Sequence, residues 1–192
     1  LQDKENIGSV LSNIGGIYFN QGNLDQALIY LNKSRKICKE AKDLNGQASA
    51  QNIIGAIYIQ QGDLEQALEI FTQNLELYKK IGFKQLIAVT LFNIGDIYKK
   101  NGHYEKALEN YFIALETFEE IGNAAGIAAG SRIIGDLYLE QKNYPLALEY
   151  LTRSLKISEE TGSKEGISMA LAVIAGIYEA QGDYAKAISF GT

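Results

Sequence analysis

The sequence predicts an all-α solenoid of about five stacked helix–turn–helix repeats, and three observations carry that expectation. A glycine recurs every 40 residues at Gly15, Gly55, Gly95 and Gly135, with Ala175 in fifth place. Tyr18, Tyr58, Tyr98, Tyr138 and Tyr178 keep the same step, as do Ala27, Ala67, Ala107, Ala147 and Ala187. Within each period two apolar stripes at helical spacing flank a glycine, as in Ile94, Ile97 and Tyr98 before Gly102, then Tyr104, Ala107, Leu108 and Tyr111 after it. A period of this length with two helices per unit is the signature of an α-solenoid, whose repeats bury their apolar faces only by stacking. The expected organisation is a single array over residues 1–192, with repeats at about 3–42, 43–82, 83–122, 123–162 and 163–192, the last one short.

Taken in chain order, first helices are expected over about 4–21, 44–61, 84–101, 124–141 and 164–181, and second helices over about 24–41, 64–81, 104–121 and 144–161, with a stub from 184. Asn23, Asp63, Asn143 and Asp183 precede the second helices, where a short side-chain oxygen can accept the unpaired N–H groups of the first turn. Asp43, Asn123 and Ser163 can do the same for first helices. Gly22, Gly62, Gly102 and Gly182 end the first helices, with Lys142 as the exception, and Gly82, Gly122 and Gly162 end second helices. Pro145 falls in a first turn, where its missing N–H costs little. The glycines at 15, 55, 95 and 135 lie inside helices, at a cost of about 0.5–1 kcal/mol each. The expected reason is close approach of the second helix. Both chain ends look cut: Leu1 aligns with residues that close a second helix, and Gly191 stands where Leu31, Phe71, Tyr111 and Leu151 stand.

Composition narrows the function. A formal net charge of −5 opposes nucleic-acid binding, which rests on neutralising phosphates. No apolar run approaches the roughly 18 residues of a membrane span. A single cysteine, Cys38, excludes an internal disulfide and suits a reducing compartment, so a cytoplasmic location is expected.

The pattern Ile-Gly-x-Ile-Tyr, a glycine after three more residues, then Leu or Tyr and Ala-Leu, resembles the tetratricopeptide repeat across nearly the whole chain. Each unit is longer than the usual period of about 34. In this it is similar to Pins-type spindle-orientation adaptors and bacterial regulatory arrays. Three departures stand out. The early tryptophan is absent (Leu11, Gln51, Leu91, Ser131 and Leu171 stand there), glycine replaces the closing proline, and Arg35 interrupts a position that is Leu75, Leu115 and Leu155 elsewhere.

The resemblance implies a right-handed superhelix whose first helices line a concave groove for an extended peptide or partner helix. Carried over by position, the groove residues are Ser12, Asn13 and Phe19, then Asn52 and Ile59, then Phe92, Asn93, Asp96, Lys99 and Lys100, then Arg132 and Asp136, with Ser9 and Ser49 beside them. Phe19 and Phe92 are the expected apolar anchors, because sister repeats do not demand aromatic rings there.

An enzyme would need a site, and the inventory is thin. His103, the only histidine, lies in a turn and reads as an exposed or capping residue. Cys38 reads as a packing residue, although Arg35 and Lys39 keep a reactive thiol open. Asp96 and Asp136 are equivalent carboxylates, but each has a cation four residues away on its own helix, Lys100 and Arg132. No catalytic residues, metal or cofactor are expected. The expected function is a scaffold binding a protein or peptide ligand. The alternatives are self-association through terminal repeats, and a sensory region of a larger signalling protein.

Overall fold

The computed structural model describes residues 2–191. Leu1 and Thr192 lie outside them, and with them the expectation about the chain ends. The described residues form ten α-helices and no strand: α1 (Gln2–Asn20), α2 (Leu24–Ala41), α3 (Leu44–Gln61), α4 (Leu64–Ile81), α5 (Lys84–Lys100), α6 (Tyr104–Glu120), α7 (Ala124–Glu140), α8 (Tyr144–Thr161), α9 (Lys164–Ala180) and α10 (Tyr184–Gly191). This is the all-α solenoid fold expected from the period, and helix ends fall within two residues of their expected places.

Local chemistry explains those boundaries. Asn23, Asp43, Asp63, Asn123, Asn143, Ser163 and Asp183 each accept a hydrogen bond from the backbone N–H three residues on. At the other ends the chain turns through left-handed residues, seven of them glycines. Two positions break the rule: Lys42 and Lys142 take φ of 61° and 58° where sister repeats have glycine, so each holds a Cβ in a conformation that disfavours one. α5 starts without a side-chain cap, because Phe83 occupies the cap position.

The chain forms two compact units, one ending at His103 and one beginning at Tyr104. In the first, consecutive helices α1 to α5 pack in sequence, and α1 also meets α3. The second repeats this with α6 to α10, and α7 meets α9. First helices α1 and α3 therefore lie side by side in the first unit, and α7 and α9 in the second.

The helix glycines sit where the two helices of a hairpin touch. A Cβ on Gly15 would lie 2.6 Å from Leu31 Cγ and 3.3 Å from the Ala27 carbonyl oxygen. On Gly135 it would lie 2.8 Å from Leu151 Cγ, and on Gly55 2.7 Å from the Phe71 ring. The closeness expected from the sequence is real, with one refinement: the recurring alanine brings its backbone near, and the residue four places later fills the space. Around these contacts lie buried clusters, Ala27, Leu31, Ala50, Ile54, Ile57 and Ile70 in the first unit and Ala147, Leu151, Leu155, Ala170, Ile174 and Ile177 in the second.

Candidate functional site

Among the described residues, a hollow lies against the first helices in each unit, at equivalent repeat positions. In the first unit a hollow of about 320 Å³ between α1 and α3 is lined by Ser9, Ser12, Asn13, Asp43, Asn45 and Ser49. In the second, a hollow of about 320 Å³ is lined by Ala129 and Arg132 of α7, by Ser163, Glu165 and Met169 at the start of α9, and by Ser154, Ser158 and Thr161 of α8. Stepping by three periods turns Ser9 into Ala129, Ser12 into Arg132, Asp43 into Ser163, Asn45 into Glu165 and Ser49 into Met169. Neighbouring first helices make the first hollow and, together with α8, the second; the side chains give each its character.

That character differs. The first hollow is a wall of hydroxyls and amides with one carboxylate. One oxygen of Asp43 is already committed to the Gly46 N–H at 2.9 Å as the cap of α3. Such groups both donate and accept, which suits a ligand's backbone amides. The second hollow has aliphatic surface from Ala129 and Met169, the latter 44% exposed. Beside them Arg132 donates to Asp136 at 2.6 Å, an ion pair across one turn of α7 with both side chains partly buried. The i, i+4 pairing expected for these two residues is the one observed.

The other sequence-expected groove residues divide into surface and interior. Asn13 is exposed, Ser12 nearly buried at the base of the first hollow, and Asp96 and Lys100 are exposed. Ile59, Asn93 and Lys99 are half-buried. Phe19 is half-buried and packs against the core cluster of α2, α3 and α4. Two assignments need correction. Phe92 is only 8% exposed, so its ring is a packing element and not a presented anchor. Asn52 turns inward: its Nδ2 donates to the Tyr78 hydroxyl at 2.7 Å and its Oδ1 accepts from Asn74 at 2.6 Å. It ties α3 to α4, and burial pushes the Tyr78 hydroxyl above its ordinary pKa. Sequence reasoning treated Asp43 and Ser163 only as caps and passed over Asn45, Glu165 and Met169. Their signal was present, since they begin the next first helix and so face the hollow left by the previous one.

Cys38 and His103 line neither hollow. Cys38 is fully buried, and burial raises its pKa, with Ser34 Oγ 4.0 Å from the sulfur. A thiol so placed is a weak nucleophile. His103 is exposed and sits edge-on to Tyr98, ring centroids 6.4 Å apart. Among the described residues no group of three or more His, Cys, Asp or Glu could hold a metal ion, and no helix is long and apolar enough to cross a membrane.

The family model described as tetratricopeptide repeat matches residues 6–80, 46–120 and 126–192. No curated protein matches the chain in sequence. Among solved structures, BtubC from P. vanneervenii is 20% identical with a TM-score of 0.84, over 96% of this chain and 78% of that one. A signal transduction ATPase with numerous domains from Pyrococcus horikoshii, with a tetratricopeptide repeat sensor, is 24% identical with a TM-score of 0.87. The match covers 97% of this chain, which spans 29% of that protein's length. A putative kinesin light chain with nearly identical repeats from Podosopora anserina is 15% identical with a TM-score of 0.77, over 99% of this chain and 93% of that one. At these identities the likeness is one of fold.

Proposed function

The chain belongs to the tetratricopeptide repeat family, and on that premise we propose that it is a non-catalytic binding module that holds an extended protein or peptide segment against its first helices. The observation that carries this reading is the recurrence of one hollow at equivalent positions of both units, polar at Ser9, Ser12 and Ser49 and aliphatic at Ala129 and Met169. Hydroxyls and amides of α1 and α3 bond the ligand's backbone. In the second unit, taken by itself, Met169 and the alanines of α7 take an apolar side chain of a bound segment, and Arg132, held by Asp136, favours an acidic group. Phe19, Ile59, Asn93, Asp96, Lys99 and Lys100 belong to the first helices of the first unit and complete the surface proposed there. The sensor region of the Pyrococcus horikoshii protein makes a sensory role within a larger protein a natural setting for such a module.

The test uses exposed positions, so that binding and folding separate. Ser9→Trp and Ser49→Trp fill the first hollow without touching the core. Partners captured by the wild-type chain, and peptides derived from them, should lose at least tenfold in affinity while the melting temperature stays put. Unchanged capture by both variants sinks the reading.

A further inference from the structure

The boundary between the first two hairpins departs from the repeat at several positions at once. Arg35 stands where the sister repeats have Leu75, Leu115 and Leu155; Gln47 stands where they have Ile87, Ile127 and Ile167; Gln51 stands where two of them have Leu91 and Leu171. These residues converge on a cleft of about 540 Å³ between α2 and α4, floored by α3, on which Arg35, Lys36, Lys39, Gln47, Glu69 and Gln73 all open. Gln51 is fully buried behind it. Its Oε1 accepts from Gln47 Nε2 at 3.5 Å, its Nε2 donates to Gln73 Oε1 at 3.1 Å, and Gln73 Nε2 donates to Glu69 Oε1 at 3.0 Å. One line of amides therefore orders the cleft wall.

Stacking does not require this. At the equivalent place of the second unit, Phe112, Tyr138 and Tyr150 replace Asn32, Tyr58 and Ile70, and their rings pack at centroid distances of 6.0 and 5.8 Å. There Arg153 is paired with Glu119, at the positions that are Gln73 and Lys39 in the first unit. The same site is plugged and neutralised in one unit, open and cationic in the other.

The chemistry of the opening selects its occupant. Three cations face one carboxylate on a chain whose formal net charge is −5. Arg35 is half-buried, and among the described residues it makes no ion pair, so its planar fork is available to an oxyanion. Glutamine amides match peptide amides in donating and accepting together. Glu69 opposes a polyanion such as a triphosphate. We propose that this cleft is a second binding site, separate from the first-helix hollows, that takes an acidic peptide segment, its carboxylate against Arg35 and its backbone amides against Gln47 and Gln73.

The test is an NMR titration of the whole chain with an acetylated, amidated hexapeptide of alternating glycine and glutamate at low salt. Saturable shifts of the Gln47 and Gln73 side-chain amides and of Arg35 Nε–H are expected. The glutamine version of the peptide should leave these resonances in place. Arg35→Leu, the residue of the sister repeats, should weaken binding at least tenfold with the melting temperature unchanged or raised. Arg35→Lys, which keeps charge but loses the fork, should weaken it several-fold in a folded chain. Ser9→Trp should leave the titration as in wild type, which keeps this site distinct from the hollow on α1 and α3. Wild-type affinity in Arg35→Leu, absence of saturable shifts, or tighter saturation of the same resonances by inorganic phosphate would overturn the proposal.

Discussion

Set side by side, the α2–α4 boundary of the first unit and the α6–α8 boundary of the second share a backbone plan and little else. Tyr138 stacks on Tyr150 at 29° between planes, and Phe112 leans on the same ring. In the first unit Tyr58 faces Ile70, which is 6% exposed, and the space an aromatic ring would take stays open to solvent. The hollows differ too: methionine and alanines join the hydroxyls in the second and are missing from the first. The repeat thus imposes two demands, a small residue where helices touch and an apolar residue beneath. Outside those positions the units are free to diverge, and that is where the proposed binding surfaces differ.

The contrast can be broken most forcefully in the core. Ile70→Ala should cost about 3 kcal/mol in denaturant unfolding, since the side chain is buried, and Tyr150→Ala about 2 kcal/mol, because its ring is partly in water. Equal losses would show that the aromatic plug is as deeply anchored as the aliphatic floor. Next comes the helix contact. Gly55→Ala pushes a methyl to 2.7 Å from the Phe71 ring, and overpacking outweighs the gain in helix propensity by about 1 kcal/mol. A more stable variant would mean the ring swings aside freely.

Transplanting the plug sharpens the comparison. Ile70→Tyr combined with Asn32→Phe should recreate the ring cluster on Tyr58, add about 1 kcal/mol of stability and close the cleft to the glutamate peptide. Smaller still, Lys42→Gly and Lys142→Gly each relieve a left-handed residue, one per unit. The relief, offset by glycine's freedom in the unfolded chain, should leave about 0.5 kcal/mol in melting experiments. The least effect belongs to exposed carboxylates. The hydrogen bond from Lys4 lowers the Glu40 pKa in the first unit, and that from Lys186 lowers the Asp183 pKa in the second. A depressed carboxylate stabilises the fold above its unfolded pKa and loses that contribution as pH falls through the folded value. NMR titration should therefore show both midpoints rise when Lys4→Met and Lys186→Met remove the donors.

Most of the fold could be read in advance because its determinants are local and repeated. A cap such as Asp43 bonds three residues away, and a left-handed glycine ends its own helix. The candidate site was only half legible. Ser12, Asn13 and Arg132 lie on the hollows where repeat position put them. Asn52 and Phe92 occupy the same repeat position as Ser12 and Arg132, yet Asn52 is drawn inward by Tyr78 and Asn74 and Phe92 is buried. No periodicity foretells that, because it depends on which side chains stand on the partner helix.

By itself, then, the order of residues determined the helices, their ends, the forty-residue step and the glycine contacts, since each depends on neighbours along one chain segment. Only tertiary structure decided which polar side chains face water, which are consumed in holding helices together, and that Arg35, Gln47 and Gln73 share one opening. Those outcomes depend on residues brought from three different helices, and distance in space is not written in spacing along the chain.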